Sequence, residues 1–248
     1  MFRGLWKLVW VELKVFMREP MGSVSTLLLP VILFLLLGGV MRNADRESFD
    51  AGSWIGSTLP VLIILIIAVN AVVSLTTIMS IYRESGILKR LKATPLQPQT
   101  ILTAHVIVKL LITAVNVGTL LLVGKRFFGI GLQGSVVEFA LAVVICTVSI
   151  LSLGFVIASI VPTARFAQLI AGSILYPLFG ISGLFAPVDA FPLPLKAVAY
   201  ASPLTHTVTL TTATWQGESL AAHGFEILAL TGSTVLCVAL SSRIFRWE

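Results

Sequence analysis

Charge is scarce in this chain: Asp, Glu, Lys and Arg make up 11% of its 248 residues, against the roughly 25% typical of a soluble globular domain. That shortage excludes a water-soluble fold. Cysteine is scarcer still, at two residues. Cys146 and Cys237 fall in separate apolar stretches, where each reads as a small hydrophobe rather than a disulfide or metal partner. The three histidines, His105, His206 and His223, stand too far apart for metal-ligand spacing, and no HExxH, paired-aspartate or GxSxG pattern occurs. A membrane enzyme, lipid-modifying or otherwise, has no residue cluster to work with. A phosphate-cradling GxxxxGK[ST] loop is missing too. The nearest approach, GTLLLVGKR over Gly118 to Arg126, has one residue too many between its glycines and lacks the final hydroxyl. Ion-coupled transport places carboxylates or histidine near the bilayer midplane. Here Glu138 and Glu226 sit close to the ends of their apolar stretches, which weakens a proton or sodium antiporter.

Hydrophobic residues are abundant, at 57%, and they gather into six stretches near 22–41, 55–81, 101–124, 136–161, 165–184 and 224–243. A bilayer core about 30 Å thick needs about 20 apolar residues per helical span, so each stretch qualifies. The first exceeds the roughly 7–15 apolar residues of a signal peptide and reads as a retained anchor. The expected fold is an all-α integral membrane protein with six transmembrane helices in a single domain, 1–248.

The net charge of +6 is a topology signal rather than a nucleic-acid footprint. Arg3, Lys7, Arg18, Arg83, Lys89, Arg90, Lys92, Arg165, Arg243 and Arg246 all fall in the N-terminus, the second and fourth loops or the C-terminus, which share one side of a six-span protein. The positive-inside rule then puts both termini in the cytoplasm of a multi-pass protein of the cell membrane, with a secondary attraction for anionic lipid.

Before the first span, Phe2, Leu5, Trp6, Val9, Leu13, Phe16 and Met17 recur at three- and four-residue intervals. Residues 1–20 therefore read as an interfacial helix with Trp6 and Trp10 in the headgroup zone and Pro20 at the turn. The alternative is an extended lower end of the first span. At the other side, the loop over 185–223 is long, apolar and rich in proline (Pro187, Pro192, Pro194, Pro203). It is too apolar to be solvated and too broken for a straight span. Non-helical backbone survives at membrane depth only under the cover of protein or water, so 185–216 reads as a re-entrant pair of half-helices, roughly 190–201 and 204–216, before the last span. A seventh span through 197–216 would put Arg243 and Arg246 outside, against the charge rule.

Within the spans, Asn70 and Asn116 need partners, either as interhelical hydrogen bonds or as substrate contacts. Lys109 is expected to snorkel toward the cytoplasmic interface. Gly172, Ser173, Gly180 and Gly183 suit close packing of the fifth span. The spans are rich in Leu, Ile and Val but offer few aromatics with a common direction. A sugar polymer favours an aromatic-lined channel, so the cargo reads as hydrophobic or amphipathic.

The most informative segment is the basic island Tyr82 to Pro98, YRESGILKRLKATPLQP. Ile87, Leu88 and Leu91 keep an apolar stripe among Arg83, Lys89, Arg90 and Lys92, and Pro95 and Pro98 stop the helix. It reads as an amphipathic docking helix over 82–98, or else as a loop whose cations only set topology. Arg83-Glu84-Ser85-Gly86-Ile87-Leu88-Lys89-Arg90-Leu91-Lys92-Ala93-Thr94-Pro95 resembles the loop after the second span of type-2 ABC exporter permeases. Phe185-Ala186-Pro187-Val188-Asp189, then Pro192 and Ser202-Pro203-Leu204-Thr205-His206, is similar to that family's stretch after the fifth span, and Arg18-Glu19-Pro20 to its elbow. The family has threonine and a further acid where this chain has Ile87 and Lys89.

The resemblance implies a permease subunit that binds no cofactor, with ATP and Mg carried by a separate ABC ATPase present in two copies. It also implies a second permease, identical in a homodimer. Arg83, Glu84, Gly86, Leu88, Arg90, Leu91, Thr94 and Pro95 would form the ATPase-coupling helix. Asn70 and Asn116, from their polar side chains within spans, and Gly180, Phe185, Pro187 and His206, from the resemblance, are the candidates to border the substrate pathway. Export of a polysaccharide or glycolipid is an alternative, as is an ion-coupled transporter or channel.

Overall fold

A computed structural model describes residues 2–43, 51–87, 98–161 and 163–244. The described elements are helical, with no strand among them. Among the described residues, six stretches are long and apolar enough to cross a membrane: Pro20–Val40, Gly56–Glu84, Thr100–Phe128, Val136–Ile160, Ala164–Ile181 and Leu220–Ile244. All six coincide with the stretches read from hydropathy.

Helix α1 (Phe2–Arg18) is separate from α2 (Pro20–Asn43), the first span. The joint lies at Glu19, where Pro20 opens the next helix in the first-turn position that its missing N–H tolerates. The inward face of α1 carries Leu5, Leu8, Leu13 and Phe16 around Val9, packed on Ala104, Val108 and Ile112. Trp6 and Trp10, which the sequence places in the headgroup zone, are 69% and 65% exposed, and Met17 is 69% exposed.

The second span consists of α3 (Ala51–Ala68), a π-helical segment (Val69–Ser74) and α4 (Leu75–Glu84). It is the centre of the bundle, and Leu59, Ile63, Ile67, Leu75 and Met79 are fully buried. The π segment faces the fourth span where that span is thinnest. A Cβ on Gly154 would sit 2.5 Å from the Ala71 carbonyl oxygen, and Thr76 donates to the Gly154 carbonyl at 3.2 Å. Widened helical turns of this kind are rare, and nothing in the hydropathy pattern announces this one.

The third span is α5 (Pro98–Val123), continued by a π turn (Gly124–Phe128) that Gly129 ends at φ +69°. The fourth, α6 (Val136–Ile160), packs along the sixth, α10 (Gly224–Ile244), through serines. Ser149 meets Ser233 at 2.9 Å and donates to the Leu230 carbonyl at 3.1 Å, and Ser159 meets Ser241 at 2.9 Å. Membrane helices lack a hydrophobic force between them, and small residues with hydroxyl bonds supply the association. The fifth span is α7 (Ala164–Ile181). Between it and α10 lie two short helices, α8 (Leu193–Ala201) and α9 (Pro203–Trp215). They break at Ser202, whose hydroxyl accepts the Leu204 N–H at 3.2 Å ahead of Pro203. This is the split expected from the prolines, with each limit within three residues of the expected one, and it replaces the seventh span.

Candidate functional site

The second span ends at Glu84, and the chain turns through Ser85 and Gly86 before Ile87 is helical again. Gly86 takes φ +69°, a left-handed conformation that glycine adopts freely and that commonly closes a helix. The sequence reads as one amphipathic helix over 82–98. Gly86 instead divides the root of that segment from the part beyond. Leu88, Arg90, Leu91, Thr94 and Pro95, with Lys89 and Lys92, lie outside the described residues.

At this root two opposite charges grip the turn between the fourth and fifth spans. Arg83 Nη1 donates to the Val161 carbonyl at 2.7 Å and Nη2 to the Ala158 carbonyl at 2.9 Å. These oxygens close the C-terminal end of α6, where the helix dipole is negative. Glu84 accepts the N–H of Ala164 at 3.2 Å, at the positive N-terminal end of α7. Each charge therefore meets the helix end of opposite sign. Hydrogen bonds to charged groups contribute about 1.5–3 kcal/mol each when shielded from water, and the part-buried Arg83 bonds anchor this turn more firmly than the exposed Glu84 bond. The sequence signal was the Arg-Glu pair itself, but its neighbours lie about eighty positions away and no local pattern names them.

Lys109 departs from expectation. It is 4% exposed and turns sideways to donate to Ser74 Oγ on the π segment rather than rising to the interface. Glu12 on α1 bears on it electrostatically without forming a direct ion pair among the described residues. Burial raises the Glu12 pKa, against a hydrogen bond from Tyr82 and the charge of Lys109, which lower it. Sequence reading passed over Glu12, although a carboxylate between Leu8 and Leu13 on a buried face is a visible irregularity.

The opposite end of the bundle holds a cavity of about 950 Å³ between α3, the segment after the third span, the end of the fifth span and α9. Ser57, Gln133, Thr212 and Gln216 offer hydrogen-bonding groups there, Val208 and Trp215 apolar surface, and none of its lining residues is charged. Its rim is tight. Gln133 N donates to the Trp215 carbonyl at 3.2 Å, and a Cβ on Gly134 would stand 2.7 Å from Gly217 Cα.

The six pathway candidates are dispersed. None lines this cavity. Asn70 lines a second groove of about 320 Å³ between α2 and the second span, beside Thr26, Leu29, Pro30, Leu62 and Ile66. Asn116 is buried with neither amide atom hydrogen-bonded, so the interhelical bond anticipated for it is not formed among the described residues. Gly180, Phe185 and Pro187 are exposed. His206 is a brace: its Nε2 pairs with the Tyr200 carbonyl at 3.0 Å, and its ring meets Phe225 edge-on at 5.7 Å.

Comparison with known proteins agrees with this architecture. The family described as ABC-2 type transporter matches residues 3–214. The chain is similar to the "Probable multidrug ABC transporter permease YbhR" of Escherichia coli (strain K12), 24% identical over 172 residues, which is 69% of this chain and 46% of YbhR. It is also similar to the "Inner membrane transport permease YhhJ" of the same organism, 28% identical over 148 residues, covering 59% of this chain and 38% of YhhJ. The matched region thus spans less than half the length of either relative. With six apolar spans among the described residues and a family match over most of its length, the chain belongs to the ABC-2 type transporter family, as a multi-pass membrane protein.

Proposed function

We propose that this chain is the membrane half of an ATP-driven exporter, moving a hydrophobic or amphipathic compound out of the cytoplasm or the inner leaflet. Its engine is a separate ABC ATPase, bound in two copies to a homodimer of permeases, and ATP with Mg belongs to that partner. Both termini, α1 and the island at 82–98 face the cytoplasm, and the end with the large cavity faces outward. The observation that carries this reading is the grip of Arg83 and Glu84 on the turn between α6 and α7. A push on the segment beyond Gly86 reaches two spans at once through that grip, which is what coupling requires.

The cavity supports the cargo class. About 950 Å³ falls within the range of drug-sized ligand pockets, roughly 300–1,000 Å³. A lining of amides, hydroxyls, Trp215 and aliphatic side chains suits an uncharged amphipathic molecule. Asn70, Asn116, Gly180, Phe185, Pro187 and His206 remain assigned to the pathway or its frame, with His206 in the bracing role. YbhR carries a multidrug name, in keeping with this cargo.

The test is coexpression with a candidate ABC ATPase, purification of the complex into lipid nanodiscs, and ATP hydrolysis measured against a panel of neutral amphipathic compounds. Copurification with cargo-stimulated hydrolysis is expected. A well-folded permease that retains no ATPase and moves solute down an ion gradient would overturn the reading. Orientation is checked separately: a cysteine at Gln216 should react with an impermeant thiol reagent in right-side-out vesicles, and one at Lys7 only in inverted ones.

A further inference from the structure

Glu12 sits on the buried side of α1 among Leu8, Val9 and Leu13. Its Oε1 accepts the Tyr82 hydroxyl at 2.5 Å and lies 3.7 Å from His105 Nε2. The Tyr82 and His105 rings meet edge-on at 5.4 Å. Lys109 is one turn further along α5, buried and bonded to Ser74 of the π segment. One carboxylate therefore joins α1, the end of the second span, and the third span.

Its position gives the cluster mechanical meaning. Tyr82 immediately precedes Arg83, whose guanidinium holds the end of the fourth span. The apolar contact of α1 with Ala104, Val108 and Ile112 already seats the helix, and a carboxylate is not needed for that. A charge at membrane depth is costly unless compensated, and Glu12 meets Tyr82 and His105, and lends its charge to the neighbourhood of Lys109, only while α1 is docked.

We propose that Glu12, Tyr82 and Lys109 form a latch that makes α1 a working part of the transmission, as positioning residues that hold the root of the coupling segment in register with the third span. This rests on the exporter reading for its consequence, loss of coupling, but the latch itself is a property of the permease.

The test uses the full permease–ATPase complex in nanodiscs, with transport per ATP hydrolysed as the first readout. Tyr82→Phe keeps the ring contact with His105 and loses only the bond to Glu12. It should fold normally and lower the ratio about tenfold, the effect of one lost hydrogen bond to a charged group. Glu12→Gln strands Lys109 and should lower both ratio and thermal midpoint. Glu12→Gln with Lys109→Met removes both charges and should recover the midpoint but not the ratio. Recovery of both, or a normal ratio in Tyr82→Phe, would show that the cluster only neutralises a buried charge. The second readout is hydrogen exchange over 83–87, followed in Tyr82→Phe and Glu12→Gln permease without the ATPase. Faster exchange there is expected, and unchanged exchange overturns the latch. A wild-type complex that hydrolyses ATP and moves no cargo would sink the exporter reading alone, and the exchange result would still decide the latch.

Discussion

Gly154 shows how much one residue decides in this bundle. The space its Cβ would take holds the Ala71 carbonyl oxygen at 2.5 Å and the Val72 Cα at 3.3 Å, and backbone of this kind cannot rotate away. Gly154→Val should push the second and fourth spans apart and break the Thr76 bond to the Gly154 carbonyl. The expected cost is about 3 kcal/mol or more, in the range of overpacking, read as a lower thermal midpoint or loss of folded protein in detergent. Gly118→Ala is the matched control, because nothing lies within 4 Å of that position, and it should be neutral. The hydroxyl pairs behave more mildly. Ser159→Ala removes a 2.9 Å partner of Ser241 and should cost about 0.6–2 kcal/mol, as interhelical hydrogen bonds in membranes do.

Elements transmit what residues hold. The turn at 161–164 receives Arg83 on one side and Glu84 on the other, so α6 and α7 are tied to the end of α4 through opposite helix termini. Arg83→Gln keeps a donor but removes the charge that the C-terminal carbonyls attract. It should insert normally and reduce cargo-stimulated ATP hydrolysis about tenfold, in line with the loss of a charge-assisted bond. Reversing Arg83 and Arg90 together should abolish stimulation while leaving insertion intact, and normal transport by that double variant would argue strongly against a docking role for the island. The hairpin of α8 and α9 is the counterpart at the far end. His206→Ala removes both the Tyr200 bond and the Phe225 contact, and should loosen α9 against α10, seen as faster hydrogen exchange over 203–215.

As a whole, the molecule has one end where charges grip helix termini and an opposite end that holds a cavity with an uncharged lining. Separating the two by mutation is the most direct check on that division. Val208→Trp should fill part of the 950 Å³ space and lower transport of larger cargo several-fold while leaving ATP hydrolysis and the thermal midpoint near wild type. A variant that lost hydrolysis as well would mean that the cavity end is wired into the coupling end more tightly than the contacts between them suggest.

The spans, the separate α1, and the proline-split hairpin were all readable from the sequence. Each is decided by nearest neighbours: a run of about 20 apolar residues satisfies its own backbone inside a bilayer, and Pro20, Pro192 and Pro203 forbid helix continuation locally. The island was recognisable for the same reason, since its charges and apolar stripe lie within one short segment. The partners of those charges were not. Arg83 reaches Ala158 and Val161, Glu84 reaches Ala164, and Glu12 reaches Tyr82 and His105, across gaps of seventy or more residues that helix packing closes. Lys109 illustrates the limit: its sequence neighbours predict snorkelling, and only helix packing brings Ser74 to its ammonium and the Glu12 charge of α1 into its surroundings. Sequence by itself determined which segments enter the membrane and where they break, because backbone solvation is a local requirement. Tertiary structure alone decided which charge faces which helix end, because a side chain is satisfied by whatever group packing brings within about 3 Å of it.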